Sequence, residues 1–148
     1  MERFMQYEEL KLKANDGVEL FAQSWAPAEP RALVCLVHGF GEHSGRYTHV
    51  AEAMVAADLA VVAIDQRGFG RSPGKRGYTP TYLQNLKDIG TLIETAKGRF
   101  PDLPTFLYGH SMGGGMVLNY TLRFKPQITG VVSTSPWLRL PDPPPSWL

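Results

Sequence analysis

The chain has 148 residues, of which 43% are hydrophobic and 20% are charged, and its formal net charge is +1. Such values are typical of a globular domain and predict one domain or part of one. No cluster or stripe of basic residues suggests nucleic acid, so we predict no nucleic-acid partner. Cys35 is the only cysteine, which excludes an internal disulfide.

The sequence carries no signal for membrane insertion or secretion. Its N-terminal residues have no apolar core of the length found in a signal peptide. No apolar run approaches the ~18 residues that a spanning helix needs. We therefore expect a cytoplasmic location.

The N-terminal region predicts an antiparallel pair of strands. Apolar and polar residues alternate in part over residues 7–13 and more regularly over residues 18–25. The Asn-Asp-Gly segment at residues 15–17 is typical of the tight turn of a hairpin. Two prolines, at positions 27 and 30, then end the pair.

Strands and helices alternate after this hairpin. Continuous apolar runs predict buried strands at residues 32–37, 59–64, 105–108 and 128–134. Helical spacing of apolar residues predicts helices over residues 47–55, 79–96 and 112–124. Thr79 and Pro80 are predicted as the N-cap and first residue of the second helix. The order predicts an α/β fold, a mostly parallel sheet with an antiparallel N-terminal hairpin and flanking helices.

A glycine-serine-glycine pattern, Gly109-x-Ser111-x-Gly113, lies between a predicted strand and a predicted helix. This is the context of a nucleophile elbow, a sharp turn that exposes a hydroxyl at the top of a sheet. The turn strains the serine backbone and leaves no room for side chains two residues before and after it. Ser111 is therefore the candidate nucleophile. The alternative is a glycine-rich packing turn with an ordinary serine.

The first buried strand is followed by His38-Gly39-Phe40-Gly41, a loop suited to an oxyanion hole. In folds with a nucleophile elbow, the residue after the nucleophile supplies one backbone N–H donor and this loop supplies the other. We therefore predict the backbone N–H groups of Phe40 and Met112 as donors, each worth ~3 kcal/mol. A plain tight turn is the alternative.

The same loop also permits a dinucleotide-binding interpretation. Gly39, Gly41 and Gly45 lie between a strand and a helix, and Asp65 ends the next strand. The fingerprint requires its third glycine at the position that Ser44 occupies, so the spacing disfavours this alternative. No cofactor is predicted.

None of the four histidines is predicted as a general base. His38 and His43 flank the oxyanion loop and are predicted as structural hydrogen-bond donors, and His49 as a surface residue of the helix. His110 adjoins the nucleophile on a sharp turn and should point elsewhere. No pair has metal-ligand spacing with a third ligand, so we predict no metal. Asp65 is predicted to accept N–H bonds from its loop and to pair with a nearby arginine, without a catalytic role.

Three segments in order carry a family resemblance. They are HGFGEHSGRY at residues 38–47, DQRGFGRS at 65–72 and GHSMGG at 109–114, and TSPWL at 134–138 is similar as well. The chain resembles the monoacylglycerol lipase and lysophospholipase-like branch (serine aminopeptidase S33-type) of the α/β hydrolases, essentially over its whole length. The resemblance implies a serine hydrolase that acts on lipid esters of long-chain acyl groups, often at a membrane surface.

The resemblance carries over Ser111 as the nucleophile, with Phe40 and Met112 in the oxyanion hole. In this fold the catalytic Asp or Glu and then the His follow the nucleophile along the chain. In the family both lie beyond a cap segment that begins about where this sequence stops. We therefore expect residues 1–148 to be a single partial domain, without the cap and the C-terminal strands. A complementing C-terminal half, and peripheral membrane contact through that cap, are the expected partners.

Two hypotheses of function follow. The first is a carboxylic ester hydrolase that forms an acyl-enzyme on Ser111, with its general base and acid outside these residues. The second is a non-catalytic binding or interaction module on a truncated or decayed hydrolase scaffold, because a serine hydroxyl without a base is a weak nucleophile.

Overall fold

The computed structural model describes residues 5–139. Within them lie the strands β1 (Gln6–Lys13), β2 (Glu19–Ala26), β3 (Ala32–Val37), β4 (Leu59–Ile64), β5 (Thr105–His110) and β6 (Gly130–Thr134). The helices are α1 (Thr48–Ala56), preceded by a 3-10 turn (Ser44–Tyr47), α2 (Tyr82–Arg99) and α3 (Met112–Phe124). None of the helices in this part of the chain is both long enough and apolar enough to cross a bilayer.

The strands form one sheet in the order β1-β2-β4-β3-β5-β6. β1 pairs antiparallel with β2 and β2 with β4, whereas β4, β3, β5 and β6 are mutually parallel. This confirms the predicted mostly parallel α/β sheet with an N-terminal hairpin. In the register, Val37 at the end of β3 is opposite Gly109 in β5. The loop after β3 and the turn after β5 therefore leave the sheet side by side.

Helices cover both faces of the sheet. One buried apolar cluster joins α2 and α3 to residues such as Leu33, Val62 and Leu107, and a second joins α1 to residues such as Trp25, Leu36 and Val61. Every residue of β3 is buried, as its continuous apolar run predicts for a strand covered on both faces.

The predicted start of the second helix is wrong by two residues. α2 begins at Tyr82, and Thr81 is its N-cap, with extended backbone and a hydroxyl that accepts a hydrogen bond from the Gln84 N–H at 3.1 Å. The Thr79 hydroxyl instead donates to the Asn85 side chain at 2.7 Å and accepts no hydrogen bond from the first turn of α2.

The last strand forms within the predicted range but is not buried. Its five residues are half-buried or exposed, and Val132 keeps 45% of its surface exposed. In the described part of the chain β6 pairs with β5 on one side only and packs against α3 on one face. An apolar run therefore indicated a strand correctly here, but not its burial.

Candidate active site

Ser111 occupies the turn between β5 and α3. Its backbone has φ 53° and ψ −116°, a combination that residues with a side chain rarely adopt. Backbone hydrogen bonds hold this conformation: the Ser111 N–H donates to the Thr134 carbonyl at 3.0 Å. Its carbonyl accepts from Gly115 at 3.1 Å and from Trp137 at 2.8 Å. The arrangement is that of a nucleophile elbow at the carboxyl end of a parallel strand that lies between two others.

The two glycines around Ser111 are required by close backbone packing. A Cβ on Gly109 would lie 2.3 Å from the Gly113 carbonyl oxygen. A Cβ on Gly113 would lie 2.3 Å from the Val37 carbonyl oxygen and 2.5 Å from that of His38. The first turn of α3 therefore packs directly on the end of β3, which brings the elbow against the loop that follows β3.

That loop, residues 38–41, lies next to the candidate nucleophile. A Cβ on Gly39 would be only 3.2 Å from the Ser111 Cβ. Within residues 5–139 the backbone N–H groups of Phe40 and Met112 have no hydrogen-bond partner. The structure thus brings together Ser111 and the two residues predicted as oxyanion donors.

His38 is a fully buried structural residue, as predicted. Its Nε2 accepts a hydrogen bond from the backbone N–H of Gln66 at 3.0 Å, so the ring proton is on Nδ1 and donates to the Gly39 carbonyl at 2.7 Å. Burial lowers the pKa of His38, which keeps the imidazole neutral. The Gln66 side-chain amide also donates to the His38 carbonyl at 2.6 Å. The hydrogen bonds of the His38 ring and of the His38 carbonyl together fix the start of the loop.

The other histidines have varied surroundings. His49 is exposed, as predicted. His43 is exposed too, and its ring makes no hydrogen bond to residues 5–139, so its predicted role as a structural donor is wrong. His110 is half-buried, and its Nδ1 lies 2.9 Å from the Thr134 hydroxyl. None of these rings is hydrogen-bonded to Ser111.

Asp65 organises the loop that follows β4. Its carboxylate accepts the backbone N–H groups of Ser44 at 2.6 Å and Arg71 at 2.7 Å, as predicted. The predicted arginine partner is wrong, because the guanidinium of Arg71 pairs with Glu9 and that of Arg67 with Asp16 and Asp88. With its oxygens used inside the protein and 1% of its surface exposed, Asp65 is not available to bind a ribose.

Sequence reasoning missed one side chain that contacts the oxyanion loop. Glu42 Oε2 accepts both the Gly39 N–H at 2.9 Å and the Tyr47 hydroxyl at 2.6 Å. The acidic residue three positions after Gly39 was the available signal, since such spacing suits a side chain that bonds back to a turn.

No group of three or more His, Cys, Asp or Glu side chains suited to a metal ion occurs among residues 5–139.

Comparisons with known proteins identify relatives of this chain. A family model described as serine aminopeptidase, S33, matches residues 28–148. The monoacylglycerol lipase of Mycolicibacterium smegmatis is 41% identical over 127 residues, which are 85% of this chain and 45% of that protein. Human monoglyceride lipase is 36% identical over 132 residues, which are 88% of this chain and 44% of that protein.

Solved structures agree with the sequence comparison. The crystal structure of the Paleococcus ferrophilus monoacylglycerol lipase matches with a TM-score of 0.73 at 39% identity, over 87% of this chain and 48% of that one. This chain therefore spans less than half the length of these relatives. The family match covers most of the chain, and the chain belongs to the serine aminopeptidase S33 family of α/β hydrolases.

Proposed function

We propose that the protein hydrolyses carboxylic esters of long-chain acyl groups, with monoacylglycerols or lysophospholipids as substrates, through an acyl-enzyme on Ser111. One observation carries the proposal: a serine in a strained turn lies beside two backbone N–H groups that have no partner among residues 5–139. The names of the relatives, monoacylglycerol and monoglyceride lipases, support a lipid ester as the substrate.

The chemistry is acyl transfer in two steps. The general base takes the proton of the Ser111 hydroxyl as Oγ attacks the ester carbonyl carbon, and the negative charge that develops on the carbonyl oxygen accepts hydrogen bonds from the N–H groups of Phe40 and Met112. The C–O bond to the alcohol breaks, and the alcohol leaves with a proton from the general acid. Water then gives a proton to the general base and attacks the acyl carbon. The bond from this carbon to Ser111 Oγ breaks, and the fatty acid leaves as Oγ regains the proton.

The general base must reach the Ser111 hydroxyl within hydrogen-bond distance. The Ser111 hydroxyl makes no hydrogen bond to residues 5–139, and both ring nitrogens of His38 are used inside the protein. We therefore place the general base and its carboxylate partner in a C-terminal half that completes the hydrolase core, beyond the residues described.

An aromatic rim near the elbow suits an apolar substrate. Phe40 is 59% exposed and Trp137 41%, and their rings meet edge to face with centroids 6.4 Å apart. Phe69 contacts Phe40 in the same way. We propose that this rim meets the acyl chain, and that the protein is cytoplasmic and contacts membranes peripherally, through a cap, to collect its substrate.

The proposal is tested by turnover of three substrates with the protein encoded by the complete reading frame. These are 1-oleoylglycerol, oleoyl lysophosphatidylcholine and leucine p-nitroanilide. Ester turnover is expected, with a loss of at least about 10⁴-fold in kcat for Ser111→Ala. The matched control is Ser133→Ala, because the Ser133 hydroxyl donates to the Gly114 carbonyl at 3.0 Å near the elbow and makes no hydrogen bond to Ser111. This control should retain turnover.

Each other outcome overturns the proposal in its own way. Cleavage of the anilide without ester turnover would indicate a peptidase, as the family description suggests. A folded protein without turnover of any of the three would favour the non-catalytic binding module.

A further inference from the structure

The side chain of Glu42 binds the backbone of the oxyanion loop, residues 38–41. One carboxylate oxygen, Oε2, accepts the Gly39 N–H at 2.9 Å and the Tyr47 hydroxyl at 2.6 Å. Tyr47 is 7% exposed, and its position is fixed because it ends the 3-10 turn that leads into α1. The carboxylate therefore links a loop that contains two glycines to a buried part of the fold.

Gly39 lies between this carboxylate and the candidate nucleophile. A Cβ on Gly39 would be 2.8 Å from Glu42 Oε2 and 3.2 Å from the Ser111 Cβ. The peptide unit that follows Gly39 carries the N–H of Phe40. A rotation at Gly39 would swing that N–H away from Ser111, and glycine offers little steric resistance to such a rotation.

Gly41 adds to the conformational freedom of the loop. Gly41 has φ +71°, so glycines flank Phe40 on both sides and the loop has little stiffness of its own. The His38 carbonyl is fixed on one side by the Gln66 amide. On the other side the Gly39 N–H has Glu42 as its partner.

The two partners are in the correct ionisation states at neutral pH. Burial opposes ionisation of Glu42, but the hydrogen bonds from Tyr47 and from the Gly39 N–H hold its pKa below the usual value. Burial and the neighbouring carboxylate raise the pKa of Tyr47, which therefore remains a donor. His110 and Arg46 also face Glu42 and favour its charged form, and the Glu42 carboxylate in turn works against the lowering of the His38 pKa by burial.

We propose that Glu42, braced by Tyr47, is a positioning residue that fixes the backbone N–H of Phe40 for the oxyanion of the transition state. The inference rests on the proposed ester hydrolysis at Ser111. It assigns Glu42 no contact with substrate, so its effect should be confined to the rate of the chemical step.

The test compares kcat and KM for a soluble p-nitrophenyl ester in variants of the protein from the complete reading frame. Glu42→Ala should lower kcat about 10- to 100-fold with KM little changed, a part of the 10²- to 10³-fold lost when one oxyanion donor is removed. Glu42→Gln keeps an oxygen that can accept from Gly39 and Tyr47, and should restore most of kcat. Tyr47→Phe should fall between the two.

Glu52→Ala is the matched control, because Glu52 is an exposed residue of α1. It should leave both constants unchanged.

The inference is overturned if Glu42→Ala keeps the full kcat, if its loss appears only in KM, or if Glu42→Gln is as impaired as Glu42→Ala. If Glu42→Ala does not fold, Glu42→Gln and Tyr47→Phe decide by the same criterion, since a Tyr47→Phe variant with full kcat also contradicts it. Turnover that survives in Ser111→Ala would overturn the proposed function itself. If Ser111→Ala loses turnover but Glu42→Ala keeps the full kcat, this inference alone is overturned.

Discussion

The strained backbone of Ser111 is held by its neighbours rather than by its own preference. A residue in such a sparsely populated conformation costs about 1–3 kcal/mol, and it persists only where the surrounding structure fixes it. Here the Thr134 carbonyl accepts a hydrogen bond from the Ser111 N–H, and the Ser111 carbonyl accepts hydrogen bonds from the N–H groups of Gly115 and Trp137. The strained turn and the segment after β6 are therefore parts of one hydrogen-bonded unit.

Gly113→Ala should destabilise the protein by about 1–3 kcal/mol, because the new Cβ would overlap backbone atoms that cannot move independently. Those atoms are the carbonyl oxygens of Val37 and His38, at 2.3 and 2.5 Å. The control is Gly98→Ala near the end of α2, where a Cβ meets nothing within 4 Å. It should be neutral or stabilising by up to about 1 kcal/mol, since alanine favours helix. Urea unfolding measures both; equal effects would contradict the packing argument.

Local motifs predicted the residues whose roles depend on chain neighbours. Gly109, Ser111 and Gly113 follow from one pattern, because the elbow is made by five consecutive residues. The bond from the Gly39 N–H to Glu42 spans three residues and could have been considered from the sequence. Tyr47 as a second donor to the same oxygen could not, because that choice depends on how the 3-10 turn packs.

At the scale of elements, the start of α2 shows how a cap is chosen by geometry. Two threonines, Thr79 and Thr81, flank a proline, and threonine is a favoured N-cap residue. Proline is common at the first helical position, which favoured Thr79. The structure uses Thr81, whose extended backbone turns its hydroxyl to the Gln84 N–H. Sequence preference alone did not distinguish these two positions.

Thr81→Ala should lower the free energy of unfolding by about 1 kcal/mol, because it removes the side-chain acceptor of the Gln84 N–H, which then keeps only its bond to the Thr81 carbonyl at 3.1 Å. Thr91→Ala is the control within the same helix, since the Thr91 hydroxyl makes only a long bond of 3.4 Å to the Lys87 carbonyl. Alanine there should be neutral or slightly stabilising. Chemical denaturation of both variants provides the comparison, and a Thr81→Ala variant as stable as Thr91→Ala would show that the cap contributes nothing.

The strands were predictable as elements, but their order in the sheet was not. Continuous apolar runs identified β3 and β4 with their observed bounds. That β3 lies between β4 and β5, with β2 beyond β4, follows from long-range pairing that no local pattern encodes. This order brings the loop after β3 against the turn after β5, and so it assembles the candidate site.

On the scale of the whole molecule, one buried arginine connects three separate segments. Arg67, in the loop after β4, donates two hydrogen bonds to Asp88 of α2, at 2.6 and 2.8 Å, and two to Asp16 in the hairpin turn, at 2.9 and 3.3 Å. The side chains of Arg67 and Asp88 are 6% and 5% exposed. Contacts between residues 51 positions apart, such as Arg67 and Asp16, lie outside what spacing in the sequence can predict.

Arg67→Ala should destabilise the protein by about 3–5 kcal/mol, because it leaves the buried carboxylate of Asp88 without its positively charged partner and with only the Gln84 amide, at 3.0 Å, as a side-chain donor. Lys11→Ala is the control: the Lys11–Glu19 pair is 77% and 61% exposed, and pairs of this kind contribute little. Thermal and urea unfolding should separate the two variants clearly. Similar small losses for both would mean that the Arg67 network does not hold the hairpin, loop and helix together.

The central claim for the whole protein is that Ser111 is the reactive nucleophile. The most direct measurement is peptide mapping by mass spectrometry after the protein from the complete reading frame has reacted with a fluorophosphonate. A serine activated in an acyl-transfer site should form a phosphonyl adduct on the peptide that contains Ser111, and the adduct should be lost in Ser111→Ala and retained in Ser133→Ala. An adduct that persists in Ser111→Ala, or that maps to another residue in the unmodified protein, would contradict the claim.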